Sequence, residues 1–286
     1  MPEIVGDRRL PDGARVLFTG CGTSYHAALA CGPAAQALEV VLGNAPSADV
    51  LVALSHEGET PLTLEAVAGF VGETWLITGA EDGPIARAVD HVVVATPEGE
   101  KSYCHTVSYV CAVAAGLALQ GEDVSGLADD VERALAADPL GVSTHERFVV
   151  AGAGRDSATA LEAVLKLREG AHVAAEAHQT EQLLHGHLAV IDTSVRCFVL
   201  EGAGRAAERA RDAMKALAEL GCEATLDPAD GLWIAWPKKA AKIDGDLTFE
   251  LVQEIGLAHG LVDNKSCSID ERWQAVRFVY RLEDRP

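Results

Sequence analysis

The chain has 286 residues, 49% of them hydrophobic and 5% aromatic, so it could form one large or two modest α/β domains with an aliphatic core. A formal net charge of −20 argues against nucleic acid or an anionic membrane surface as a general partner. The seven cysteines include no C-x-x-C pair, which argues against a disulfide framework and a zinc knuckle. Without a signal-peptide core or an apolar run of about 20 residues, we expect a cytoplasmic protein without a membrane partner.

Strands and helices alternate in the first part of the chain. Hydrophobic periodicity predicts, in order, strand 14–20, helix 24–41, strand 49–55, helix 59–70, strand 73–79, strand 90–95 and helix 104–120. Pro33 falls inside the first of these helices and is expected to kink it. The polar, acidic stretch Gly121–Asp138 follows. We interpret it as a linker, with a helix as the alternative, and place the linker at residues 126–145.

The rest of the chain shows the same alternation. The pattern predicts strand 147–152, helix 155–169, a short helix near 178–184, strand 195–200, helix 204–220, strand 222–226, strand 232–236 and helix 246–261. This order of elements is typical of a parallel sheet covered by helices.

An internal repeat relates the two parts. Gly20-Cys21-Gly22 and Gly152-Ala153-Gly154 each follow an apolar strand, and each precedes a helix that carries Ala-Leu at the same spacing. Duplicated strand–turn–helix units predict two similar α/β halves. We therefore expect a first domain at residues 1–125, a linker at 126–145 and a second domain at 146–286.

The first glycine turn has the composition of an anion site. Cys21, Gly22, Thr23 and Ser24 lie between a strand and the start of a helix, where backbone N–H groups, the helix dipole and two hydroxyls point to one place. Such a turn by itself is also common structural punctuation, so the other segments at this edge decide the interpretation.

Two further segments follow strands that end at the same edge of the predicted sheet. Ser55–Thr60 reads S-H-E-G-E-T, in which Gly58 permits close backbone approach and the two terminal residues supply hydroxyls; the alternative is a simple helix cap. In residues 98–108, Cys104 and His105 could suggest a Cys/His nucleophile, but we favour a core or helix-start role because no orienting partner is visible.

Three charged residues share one face of the helix predicted at 155–169. Glu162, Lys166 and Glu169 have the spacing i, i+4 and i+7, so Lys166 could orient Glu169 or lower its pKa. In an anonymous helix such a row is usually a solvated salt-bridge face. The nearby His178, His185 and His187 lack the carboxylate spacing of a zinc site, so we expect no metal.

Three segments together resemble one family. C-G-T-S-Y-H-A (from Cys21) and S-H-E-G-E-T (from Ser55) resemble the two phosphate loops of sugar isomerase (SIS) domains, and Leu161–Asp192 resembles the catalytic segment of the isomerase half of glucosamine-6-phosphate synthases. The resemblance covers nearly the whole chain. It implies two SIS-type, flavodoxin-like three-layer sandwiches with parallel sheets, and a chain without the glutaminase half.

The resemblance also implies roles for single residues. Glu169 matches the base that moves a proton between C1 and C2 of an open-chain sugar, Lys166 matches a lysine beside it, and His185 matches the ring-opening histidine supplied by a neighbouring subunit. The residues expected to bind the sugar phosphate are Cys21, Gly22, Thr23, Ser24, Ser55, His56, Glu57, Gly58 and Thr60.

The chain departs from the family pattern in three places. Glu57 stands where the second loop usually has serine, so either it turns away from the ligand or the ligand carries less negative charge than a phosphate. The lysine that forms a Schiff base in synthases is missing: its place falls near Gln274 or Ala275, and Lys265 lies about ten residues too early. His187 replaces proline after Gly186.

The expected function is that of a sugar-phosphate enzyme. The resemblance implies an aldose–ketose isomerase or an amino-sugar-phosphate deaminase or aminotransferase, with a substrate similar to glucosamine 6-phosphate or fructose 6-phosphate, no cofactor and a homodimeric active unit. The alternatives are a non-catalytic sensor of carbohydrate derivatives and an enzyme for a non-phosphorylated sugar.

Overall fold

The computed structural model describes residues 5–96, 99–136, 145, 147–226, 232–238, 248–258, 261–268 and 273–280. The chain divides into two compact units. One contains Met1–Asp130 and Thr144–Leu226, and the other contains Val131–Ser143 and Asp227–Pro286. Both predicted glycine-turn repeats fall in the first unit.

A five-stranded parallel sheet forms the first part of the larger unit. Its strands are β1 (Val16–Gly20), β2 (Ala34–Gln36), β3 (Val50–Leu54), β4 (Glu73–Thr78) and β5 (His91–Val94), in the order β2-β1-β3-β4-β5. Its helices are α1 (Thr23–Cys31), α2 (Ala37–Val41), α3 (Pro61–Gly69) and α4 (Thr106–Leu119). This flavodoxin-like strand order has its switch point between β1 and β3.

Alternation along the strands explains the three layers of this part. Phe18, Val52 and Ile77 pack on one face of the sheet with Ala28 of α1 and Leu119 of α4. The intervening strand residues pack on the other face; they include Leu17, Leu51 and Leu76, which meet Val67 of α3 and Ile85. Successive strand side chains point to opposite faces, so both faces of the sheet are covered.

A four-stranded parallel sheet forms the second part of the larger unit. Its strands are β6 (Arg147–Gly152), β7 (Ala174–Gln179), β8 (Val195–Val199) and β9 (Glu223–Leu226), in the order β7-β6-β8-β9. Its helices are α6 (Asp156–Lys166), α7 (Thr180–Leu184) and α8 (Arg205–Glu219); α5 (Leu127–Ala136) precedes the sheet in the chain. The order repeats that of the first sheet, which agrees with the predicted duplication.

The two turns require glycine at matching positions for the same structural reasons. A Cβ on Gly20 would lie 2.9 Å from Cβ of Ser24, and one on Gly152 would lie 2.4 Å from the carbonyl oxygen of Asp156. Gly22 and Gly154 have φ values of 57° and 62°, a region that favours glycine. The repeat therefore conserves a tight strand-to-helix turn rather than only a composition.

The smaller unit differs from the predicted fold. Residues expected to continue a parallel sheet instead form a three-stranded antiparallel sheet in the order β10-β12-β11, from β10 (Leu232–Pro237), β11 (Leu261–Ser268) and β12 (Trp273–Tyr280), together with α9 (Phe249–Ala258). The prediction of parallel sheets holds for the larger unit and is wrong here. Lys265 lies opposite Arg277 in this sheet, whereas Gln274 and Ala275 lie opposite Ser268 and Cys267.

The helix predicted at 24–41 is also wrong as a single element. Proline cannot continue a helix and disfavours helical backbone in the residue before it, here Gly32. The chain leaves α1 at Cys31, Pro33 accepts a hydrogen bond from the N–H of Phe18 at 2.9 Å, and residues 34–36 pair with β1 as β2. Pro33 thus ends the helix and starts an edge strand.

Candidate active site

The carboxyl ends of β1 and β3 border a cavity of about 360 Å³. The residues on its wall come from the turn after β1, the loop after β3, the ends of β4 and β5, the start of α4 and the segment after α6. They include Cys21, Gly22, Thr23, Ser24, Ser55, His56, Glu57, Thr60, Thr78, Thr96, His105, Ser108, Tyr109 and Glu169. The cavity lies at the switch point of the strand order, where open α/β sheets bind ligands.

The structure brings most of the expected binding residues together. The hydroxyl of Ser55, which is 3% exposed, lies 3.3 Å from that of Thr60. Gly58 has a φ of 68°, and its N–H donates to the carbonyl of Ser55 at 3.2 Å, so it shapes the loop without appearing on the wall. Glu57 lies on the wall with an exposed side chain.

Glu169 reaches this wall from an irregular segment. The helix predicted at 155–169 is regular only to Lys166, and Leu167–Ala171 form a π-helical turn that carries Glu169. Such turns are rare and occur frequently at functional sites. Lys166 Nζ lies 2.7 Å from Glu169 Oε2, which agrees with the predicted contact between them.

A buried charge network anchors Lys166 behind the cavity. Glu162 is 5% exposed, and its carboxylate accepts hydrogen bonds from Thr23 Oγ1 at 3.1 Å and pairs with His26 Nδ1 at 2.8 Å and Lys166 Nζ at 3.1 Å. Lys166 also donates to Thr23 Oγ1 at 3.2 Å and to the carbonyl oxygen of Cys104. The charged row is therefore not a solvated face, because it joins α6 to α1.

The same network raises the pKa of Lys166. Burial lowers the pKa of Lys166, but hydrogen bonds to Glu169 and Glu162 outweigh burial and place that pKa above its ordinary value. Lys166 is consequently a cation at neutral pH, held beside the carboxylate of Glu169.

His185 lies apart from this cavity in the single chain. Its side chain is 72% exposed, and its Nε2 is 3.2 Å from Glu181 Oε2. The structure therefore does not bring His185 to Glu169 within one subunit. His178 and His187 stack on each other with ring centroids 4.1 Å apart, and the described residues contain no group of three or more His, Cys, Asp or Glu suited to a metal ion.

Sequence reasoning missed several residues of the site. Glu100 caps α4 by accepting hydrogen bonds from the N–H groups of Val107 at 2.9 Å and Ser108 at 2.8 Å. Burial raises the pKa of Glu100, but the hydrogen bonds outweigh burial and lower this pKa to about 2. His105 starts α4, as expected, but it also lines the cavity. Thr78 is the last residue of β4 and Thr96 follows β5, and these positions at strand ends could have identified them.

Comparison with known proteins supports the predicted family. The family model described as "SIS domain" matches residues 142–222, a range that contains the second glycine turn and the first part of the predicted second domain. The glutamine–fructose-6-phosphate aminotransferase of Methanothermobacter thermautotrophicus is 30% identical over 63% of this chain and 36% of its own length. The chain thus spans just over a third of that relative.

Solved structures share the fold. The C-terminal domain of glucosamine-fructose-6-phosphate aminotransferase from Francisella tularensis has a TM-score of 0.57 at 19% identity, covering 74% of this chain and 71% of that one. Glucosamine-6-phosphate deaminase from Thermotoga maritima has a TM-score of 0.63 at 22% identity, covering 75% of this chain and 76% of that one. Among the described residues, no helix is long and apolar enough to cross a bilayer. Residues 142–222 of this chain therefore match a SIS domain, and the chain is similar over 63% of its length to a glutamine–fructose-6-phosphate aminotransferase.

Proposed function

We propose that the chain is a cytoplasmic sugar-phosphate enzyme that moves a proton between C1 and C2 of an open-chain hexose or hexosamine 6-phosphate. The observation that carries this proposal is the position of Glu169. Its side chain lies on the wall of the cavity at the sheet's switch point, 2.7 Å from a lysine ammonium. A carboxylate on the wall of a concave site is placed to act as a general base.

The loops after β1 and β3 would hold the phosphate. Ser24, Ser55 and Thr60 supply hydroxyls on the wall, and α1 begins there without a side-chain cap, with the positive end of its dipole towards the cavity. A phosphate bound there would leave the sugar carbons extending towards Glu169. Cys21, Gly22, Thr23, His56, Glu57 and Gly58 complete the proposed binding loops.

The chemistry then needs one base and no redox change. Glu169 takes the proton from C2 of the aldose, the electrons of that C–H bond form the C1–C2 double bond of an enediol, and Glu169 returns the proton to C1 while the proton of the C2 hydroxyl passes to O1. For a 2-amino sugar the same transfer gives a C2 imine, which water hydrolyses to a ketose and ammonia. Lys166 offsets the negative charge near the reacting carbons.

His185 would act across an interface. Its exposure and its absence from the cavity wall agree with a residue that completes the site of a partner subunit in a homodimer. In this proposal it opens the sugar ring before the proton transfer. The two-domain organisation, with domains at 1–125 and 146–286 around a linker at 126–145, is part of the same proposal and is supported by the repeated strand order.

Glu169→Gln tests the proposal because it keeps the size of the side chain and removes the base. We expect isomerase or deaminase turnover on hexose and hexosamine 6-phosphates to fall by about 10²–10⁴-fold while ligand affinity changes little. Glu65→Gln, an exposed glutamate on α3, is the matched control. Equal turnover in Glu169→Gln and wild type would contradict the assignment of the base.

One observation favours a second candidate function. Glu57 lies on the cavity wall, where its charge would oppose a phosphate, so a non-phosphorylated sugar is the alternative ligand, for an enzyme or for a sensor without turnover. Thermal shifts with fructose and fructose 6-phosphate separate these cases. Stabilisation by the phosphate alone supports the main proposal, and equal stabilisation by both supports the alternative.

A further inference from the structure

The cavity wall is short of fixed positive charge. Among the described residues that line it there is no lysine or arginine, and the side chains able to become cationic are His56 and His105. Glu57 and Glu169 add negative charge to the same wall. Lys166 stands beside the wall, but its charge is shared between Glu162 and Glu169. A phosphate monoester carries about 1.5 to 2 negative charges at pH 7, so His56 and His105 are the wall residues that can supply a further compensating charge.

The backbone seats the ring of His56 in a defined place. The carbonyl of His56 accepts the N–H of Gly79 at 2.8 Å and the hydroxyl of Thr78 at 3.1 Å. A Cβ on Gly79 would lie 2.8 Å from His56 Cε1 and 2.9 Å from His56 Nδ1, so the ring occupies space that only glycine leaves open. Gly79, which follows β4, therefore leaves the space that the imidazole of His56 occupies.

His105 is held in an unfavourable conformation against this ring. Its φ of 50° and ψ of 52° are left-handed, a conformation that is strained for a non-glycine residue. Its side chain makes no capping hydrogen bond, because Glu100 caps α4 instead, and its buried Nδ1 has no hydrogen-bond partner among the described residues. The centroids of the two rings are 5.2 Å apart in an edge-on arrangement. A strained backbone and an unsatisfied nitrogen that serve no local purpose point to a ligand-dependent role.

We infer that His56 and His105 form a one-proton imidazole pair that becomes protonated when the phosphate of the substrate binds, and so makes phosphate recognition dependent on pH. This inference rests on the proposed function of the cavity. The proton on the pair offsets the negative charge of Glu57. The protonated pair therefore favours ligands that carry an anionic group over neutral sugars.

The charges around the pair set the direction of the effect. Burial lowers the pKa of His56 and the neighbouring His105 lowers it further, while Glu100 and Glu57 partly oppose both. His56 is therefore neutral at pH 7 in the free protein. The other titratable groups on the wall are Cys21, Tyr109 and Glu169. A phosphate placed beside the rings favours the protonated form, so binding takes up a proton and affinity falls as pH rises. Repulsion between adjacent imidazolium ions limits the pair to one proton.

The test is the affinity for fructose 6-phosphate between about pH 6.5 and 8.5, measured by calorimetry for wild type, His56→Gln, His105→Gln and the double variant. For each rise of one pH unit, the decrease in affinity should be up to about tenfold larger for wild type than for the double variant. The two affinities should converge as the pH rises, because the proposed pair then no longer takes up a proton. The titration of the phosphate itself is common to both and cancels in the ratio.

His91→Gln is the matched control, because His91 lies at the start of β5, pairs with Glu73 at 3.3 Å and is absent from the cavity wall. Its profile should follow wild type. Parallel profiles for wild type and the double variant would overturn the inference, since a purely structural role changes affinity equally at every pH. If the double variant does not fold, calorimetry of wild type in two buffers of different ionisation enthalpy measures the proton uptake on binding. The absence of proton uptake would overturn the inference. If fructose, glucose and glucosamine 6-phosphates all fail to bind wild type, the proposed function itself is contradicted.

Discussion

Glu162 links three side chains at the candidate site. Its buried carboxylate collects hydrogen bonds or ion pairs from Thr23, His26 and Lys166, so it fixes both the first turn of α1 and the lysine beside Glu169. A buried carboxylate is stable only with such partners, and its partners are left unpaired when its charge is removed. The site and the stability of the larger unit therefore share this residue.

Glu162→Gln should destabilise the protein by about 2–4 kcal/mol, because a buried ion pair loses one member while the volume stays the same. Urea denaturation at neutral pH measures the change. Glu208→Gln, which removes an exposed glutamate paired with Arg205, should stay within about 0.5 kcal/mol of wild type. Equal effects of the two substitutions on the free energy of unfolding would contradict a stabilising role of the buried network.

Residue-scale contacts differ in how far the sequence predicts them. The contact of Lys166 with Glu169 follows from their spacing, although a π-helical turn rather than a regular helix makes it. The contact of Thr23 with Glu162 joins residues 139 positions apart, and no local pattern predicts such a pair. His105 was expected to start a helix, but its place on the cavity wall depends on how β5 and α4 pack.

At the scale of elements, α4 shows how a distant side chain can cap a helix. Its N-cap residue makes no side-chain cap, and Glu100, which precedes the helix by six residues, accepts the N–H groups of Val107 and Ser108. Because α4 contributes Ser108 and Tyr109 to the cavity wall, this cap also positions one side of the candidate site.

Glu100→Gln should lower the free energy of unfolding by about 1 kcal/mol at pH 7, the usual effect of losing a helix cap. The folded-state pKa of Glu100 is depressed from 4.5 to about 2, so its contribution is complete above the unfolded value and is lost as pH falls through this range. Urea denaturation of wild type and variant at several pH values below 7 should show the difference shrinking as the pH drops. A difference that is constant with pH would contradict the role of the charge.

Elements were predictable where periodicity is strong. The central strands β1, β3, β6 and β8 lie within the predicted strands, because buried parallel strands are continuous apolar runs. β2 and β7 were not predicted, since each is an edge strand whose short, mixed sequence acquires its conformation from pairing with β1 or β6. The antiparallel pairing of β11 and β12 likewise depends on long-range register.

At the scale of the whole molecule, the larger unit repeats one sheet topology and uses the two copies differently. The turn after β1 opens onto the cavity, whereas the matching copy contributes α6, which carries Glu162, Lys166 and, just beyond it, Glu169. In the function that we propose, one copy of the α/β framework binds the ligand and the other supplies the base. The internal repeat predicted the two copies, but not that their helices α1 and α6 would meet.

The central claim is that this chain moves a proton between C1 and C2 of a sugar phosphate with Glu169 as the base. Incubation of the protein with glucose 6-phosphate or fructose 6-phosphate in D₂O, followed by NMR of the recovered sugar, tests it most directly. We predict deuterium at C2 of the aldose or C1 of the ketose with wild type, and loss of that exchange with Glu169→Gln. Binding of these sugar phosphates without deuterium incorporation in wild type would contradict the claim and identify the chain as a binding protein.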